Sequence, residues 1–208
     1  MTFALPVLRC RQRVFSALTA DAGSAEWEGC EAVALSDVVT GAAPKQGTTV
    51  RAAWGNDEVR FLFECTDADP RATLTERDAP LYQEEVVEVL LDPVGDLLSY
   101  FEFEVNPLNA VMDLVLRRSR SGYLKDFRWK CDGLRSCTRM IPGGWAAELA
   151  LPFADIAPEA PQPGTQWRVN FCRIDRPEGQ PRELSAWSPT GQPLFHVPER
   201  FGVLEFQR

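Results

Sequence analysis

With 208 residues, 45% of them hydrophobic and 25% charged, the chain has the composition of a globular protein, without the polarity of a disordered chain or the glycine period of a fibrous one. Thirty Asp and Glu against 22 Lys and Arg leave a formal charge of -8, which repels nucleic-acid phosphates and anionic lipid surfaces. Apolar runs such as Val86–Leu91, interrupted by Glu88, fall far short of the roughly 18 residues that cross a bilayer, so neither nucleic acid nor membrane is expected as a partner.

The N-terminal segment places Arg9, Arg11 and Arg13 after a very short apolar stretch, the reverse of a secretory signal, and a cytoplasmic location is expected. Six cysteines (Cys10, Cys30, Cys65, Cys131, Cys137, Cys172) are scattered without a CxxC pair. They are read as reduced, small hydrophobes rather than zinc ligands or disulfide partners.

Along the chain the dominant hydrophobic period is two. A weak strand is expected near Arg13–Leu18, then strands at Thr49–Trp54 and Arg60–Cys65, joined by the Gly55-Asn56-Asp57 turn. Val86–Asp92 and Tyr100–Asn106 flank a Pro93–Asp96 turn. Val111–Leu116 and Arg135–Ile141 follow, and Pro142-Gly143-Gly144 leads into Trp145–Leu151. One helical turn is expected at Phe153–Ile156 after Pro152. Strands at Trp167–Cys172 and Val203–Phe206 complete the set. The pattern predicts an all-β fold: residues 1–208 as a single sandwich, jelly-roll-like, with two antiparallel sheets and about ten strands.

Two long irregular segments, Thr66–Glu84 and Asp175–Glu199, are where function is sought, because structureless stretches of that length in a compact domain usually carry it. Alternation puts Glu88 on a face with Val86 and Leu90, Glu102 with Glu104 and Asn106, and Arg168 with Asn170, while Glu148 stands on another strand. If these faces share one sheet they form a polar field able to bond vicinal hydroxyls. The plain alternative is a solvated sheet face with cross-strand pairs of about 0.2–1 kcal/mol each. Tyr82 and Trp187 lie in the long loops, where they either stack on the apolar face of a sugar ring or anchor their own loops. Trp54, Trp129, Trp145 and Trp167 are read as core, and Trp27 as a plug at its edge.

Other chemistries are weaker. Glu102 and Glu104, about 6.5–7 Å apart at Cα, overlap the roughly 5–9.5 Å carboxyl separations of glycosidases, but every strand places i and i+2 side by side. Haem ligation would need His196 with Met112 or Met140. Calcium could be held by Asp67, Asp69 and Asp78, although their spacing is not that of an EF-hand. No cofactor is required by any motif. His196 has no nucleophile motif near it and reads as a loop anchor.

The segment Arg77–Pro93, with its Tyr82-Gln83-Glu84-Glu85 and Val87-Glu88-Val89 steps ending in Asp92-Pro93, resembles family 9 carbohydrate-binding modules. The likeness continues in order through Tyr100–Pro107, Gly144-Trp145 with Glu148, Pro152-Phe153, Trp167–Phe171, Ser185–Pro189 and Phe195–Leu204. It implies a stand-alone relative with a two-sheet sandwich of the carbohydrate-binding, DOMON-like kind, non-catalytic and tied to carbohydrate catabolism. Its ligand would be a mono- or oligosaccharide. On this resemblance Tyr82 matches one aromatic clamp, Trp187 the second, and Glu88 an acidic sugar ligand, with Glu104, Arg168 and Asn170 supplying further hydrogen bonds. Two positions depart from the family pattern: Tyr82 replaces the usual Trp, and Glu104 stands where sugar-binding members carry a base. A haem-binding electron-transfer domain and a glycoside hydrolase using strand carboxylates are the alternatives.

Overall fold

A computed structural model describes residues 4–120 and 122–208. The strands are β1 (Val7–Gln12), β2 (Ala32–Ala34), β3 (Ser36–Asp37), β4 (Thr48–Trp54), β5 (Glu58–Thr66), β6 (Val86–Asp92) and β7 (Ser99–Val105). They continue as β8 (Val111–Ser119), β9 (Gly122–Asp126), β10 (Arg135–Ile141), β11 (Gly144–Pro152), β12 (Gln166–Asp175), β13 (Glu183–Ala186) and β14 (Gly202–Gln207). The helical turn α1 occupies Phe153–Ile156, after the extended Pro152. No helix among the described residues is long and apolar enough to cross a membrane.

The fold is all-β, as expected, but its strands do not fall into two separate sheets of about ten strands. One continuous mixed sheet runs β10-β11-β5-β4-β1-β14-β12-β6-β7-β8-β9, with β2, β3 and β13 paired at its side. The connecting piece is β1, which lies parallel to both β14 and β4 and so joins two antiparallel halves into one hydrogen-bonded surface. The strand expected near Arg13–Leu18 lies instead at Val7–Gln12. There Leu8 and Cys10 alternate into the core, whereas Phe15, further on, lies under the Arg60 guanidinium at 4.1 Å.

This sheet curls until its inner face closes on itself. Phe61 and Phe63 on β5 meet Phe171 on β12 at ring-centroid distances of 5.3 and 6.0 Å, although three strands stand between β5 and β12 in the sheet. Alternate residues of β4–β7, β11, β12 and β14 supply this core. Each large side chain fully buried there stabilises the fold by about 1.5–3 kcal/mol. Trp54, Trp145 and Trp167 belong to it, Trp129 packs against it, and Trp27 fills a small cluster behind β5 and β11. All six cysteines are free thiols.

Candidate functional site

Register decides which polar side chains share a face. Glu88 on β6 stands opposite Glu104 on β7 on one side and Cys172 on β12 on the other. Two residues along β7, Glu102 stands between Leu90 of β6 and Leu114 of β8. Because Phe101, Phe103 and Val105 turn inward, Tyr100, Glu102 and Glu104 are directed to the outer face. Lys125 on β9 joins them, its neighbour across the ladder being Leu116, itself opposite Tyr100. Three carboxyl groups and one amine thus come from β6, β7 and β9, with β8 between the last two.

The two long loops roof this face. Leu81, in a single helical turn at Leu81–Gln83, packs with Phe195, Phe201, Leu90, Tyr100, Leu114 and Cys172 in a second apolar cluster. The first loop is tied down by backbone N–H groups of Thr73 and Leu74 donating to Glu84, and by the Asn106 amide donating to the Leu74 carbonyl at 2.7 Å. Under this cover Glu88 and Glu102 are 2% exposed and Glu104 is fully buried.

Burial has electrostatic consequences. Desolvation, reinforced by the charges of Glu88 and Glu102, drives the Glu104 carboxyl well above the usual carboxylate range. Neither Glu104 oxygen accepts a hydrogen bond from the described residues, and Glu102 is the acceptor within reach of its protonated form. Desolvation and then Glu102 likewise push Glu88 up, with Lys125 pulling the other way. Glu102 is the paired member, 3.4 Å from the Lys125 ammonium and 3.8 Å from His196 Nε2. His196 meets the Tyr100 hydroxyl at 3.0 Å through Nδ1, and burial holds its pKa down against the pull of Glu102.

Above this floor stands Tyr82, 39% exposed, with the Lys125 ammonium 5.9 Å from its ring centroid. An apolar plane therefore borders a polar floor, with Lys125 and the half-buried His196 between them.

The remaining expected residues go elsewhere. Trp187 is 8% exposed and stacks on Phe171 at 5.5 Å, on the inner side of the sheet, so the slot expected between Tyr82 and Trp187 is not what the structure presents. A side chain at 202 would place its Cβ 2.4 Å from the Trp187 ring, which explains the glycine after Phe201. Asn170 exchanges two hydrogen bonds with the Ser188 backbone, at 3.0 and 2.9 Å, and its amide is fully buried. Arg168 donates to the carbonyls of Phe201 and Gly202 and pins the second loop. Glu148 is remote, held by Arg60 at 3.2 Å and the backbone of Thr19 and Ala20.

Of the aspartates considered for calcium, Asp67 pairs with Arg173, Asp69 with Arg71 and Asp78 with Lys130. Met112 is buried, Met140 lies on the exposed far strand β10, and His196 is engaged with Tyr100. Sequence reasoning missed the buried centre around Arg173. Its Nη2 lies 2.7, 2.8 and 3.1 Å from Asp67, Glu85 and Asp175, and Trp145 donates to Glu85 at 3.0 Å. Desolvation and the neighbouring Asp67 push Glu85 up to about 8. Lys125 was missed too, because β9 shows no clean alternation: its burial runs between exposed and half-buried.

A rigid all-β scaffold displaying a roofed polar face and an exposed aromatic plane defines a binding module. The model for the carbohydrate family 9 binding domain-like family matches residues 20–208, and the chain belongs to that family, whose members are non-catalytic. A crystallised protein of Bacteroides uniformis is similar to it in fold, with a TM-score of 0.76 at 20% identity, over 98% of this chain and 100% of that one. A family 9 module from Caldicellulosiruptor kristjanssonii, solved with cellotriose, superposes with a TM-score of 0.73 at 16% identity, over 97% of this chain and 94% of that one. The glucose complex of a module from the same organism gives 0.71 at 16% identity, covering 98% and 97%. No curated protein sequence matches the chain.

Proposed function

We propose that this protein binds a mono- or oligosaccharide without catalysis, at the outer face of β6–β9. Tyr82 is the platform for the C–H face of the ring, and Lys125, His196 and Glu102 are the groups nearest its hydroxyls. Glu88 and Glu104 lie beneath, buried and held above the usual carboxylate range. Family membership and the sugar complexes of the similar Caldicellulosiruptor modules support the class of ligand. The observation behind this reading is Tyr82, a large ring left 39% exposed and 5.9 Å from the ammonium that pairs with the buried Glu102.

Titration calorimetry with glucose and cellobiose at millimolar concentration tests the reading. Heat is expected with at least one of them, and Tyr82→Ala should weaken binding by about tenfold, the order of one aromatic stacking contact. Silence with every sugar tried would reject it; an unchanged Tyr82→Ala affinity would move the site off this face.

A further inference from the structure

Lys125 reaches toward both the exposed aromatic plane and the carboxyl floor. Its ammonium lies 5.9 Å from the exposed Tyr82 ring and 3.4 Å from the Glu102 carboxylate, so the gap between platform and floor is filled by a cation of the chain itself. The surroundings suit a cation: an aromatic face attracts one through its quadrupole, and Glu102 supplies the opposite charge. Behind Glu102 stand Glu88, directly across the ladder from Glu104, and Glu104, whose oxygens accept no hydrogen bond. Three carboxyl groups face one amine and one imidazole. The Lys125 side chain is 34% exposed and comes from β9, the last strand on its side of the sheet, where a side chain can swing aside without breaking the core.

A neutral sugar that reached the floor by displacing Lys125 would leave Glu102 buried and unpaired, and unpairing a buried charge is costly. A sugar carrying a protonated amine conserves the pairing. We propose that this face is an amino-sugar site, in which the ligand's ammonium replaces that of Lys125 between Tyr82 and Glu102. The proposal rests on the carbohydrate-binding reading and narrows its ligand. Lys125 then acts as an internal competitor, holding the site filled until a ligand of like charge arrives.

Glucosamine, glucose and N-acetylglucosamine form the test, since the first is cationic near pH 6 and the third is a neutral analogue of it. Calorimetry of the full chain should show glucosamine binding about tenfold tighter than either neutral sugar, a difference of the size that a charge-assisted hydrogen bond provides. Lys125→Met keeps the apolar stem but removes the competitor, and should tighten glucosamine binding further. Glu102→Gln, close in shape but uncharged, should erase the preference by bringing glucosamine down to the affinity of the neutral sugars in the same variant. Equal affinities for all three sugars, or weaker glucosamine binding in Lys125→Met, would overturn the amino-sugar assignment and leave the general reading in place. Heat from none of the three in any variant would overturn both.

Discussion

Glu104 holds a carboxyl group where water does not reach, and this has a consequence for stability that runs opposite to the usual acid denaturation. In the unfolded chain such a group titrates near about 4.3, whereas desolvation and its neighbours Glu88 and Glu102 raise it well above that value in the fold. Below the unfolded pKa both states are protonated, and the stability is fully present. As pH rises between the two values the unfolded chain sheds the proton and the folded one keeps it, so stability falls. Glu104→Gln mimics the protonated form and removes this group's share of the slope. Its melting temperature should match that of the parent near pH 3 and exceed it near pH 8, by about 2–4 °C for each ~1 kcal/mol of the difference in a chain of this size. Thermal melts across that range check it. A gain of equal size at every pH would mean that packing, not titration, sets the difference.

Elements show which parts of the molecule can be read before folding and which cannot. The strands with clean alternation, β5, β7, β11 and β12, stand where the pattern puts them, and the helical turn sits at Phe153–Ile156. Those with little to bury escaped: β9 is largely exposed, β2, β3 and β13 are two to four residues long, and β1 hides only Leu8 and Cys10. The site divides in the same way. Glu88 could be assigned a face of its strand, and Glu102 with Glu104 a face of theirs, because strand period is local; that the two faces coincide is decided by register, and Lys125 rides on the strand that left no signal. Trp187 sits in an irregular loop, where no period tells inside from outside, and only the tertiary contact with Phe171 decides it. Asn170 looked like a sugar ligand because an amide on a strand face is chemically suited to one; the fold uses it to fasten residues 187–201 across that face. Asn170→Ala breaks two buried hydrogen bonds to Ser188 and should destabilise by about 2–4 kcal/mol. Because the same loop carries His196, sugar affinity should fall as well. Denaturant unfolding together with calorimetry measures both; a stable variant with normal affinity would show that the loop holds itself.

At the scale of the whole molecule, the curled sheet keeps the aromatic core and the proposed sugar face on opposite sides. Its inner face closes through Phe171, which touches Phe61 and Phe63 across three intervening strands and Trp187 from the second loop. The outer face of the neighbouring strands carries the carboxyl floor, with Cys172 and Glu88 side by side beneath the roofing loops. Alternation forces this division, since consecutive residues of β12 point to opposite sides. Phe171→Ala therefore probes one side with the other left in place. Deleting that ring leaves a cavity between the two halves of the sheet and should cost about 3–5 kcal/mol, seen as a lower urea midpoint at unchanged slope. Where the variant is still folded, its affinity for a sugar should stay within about twofold of the parent, because no group of the outer face is altered. A loss as large as that expected of Tyr82→Ala would show instead that the floor is positioned by the inner packing, and that the two faces of this sheet respond as one.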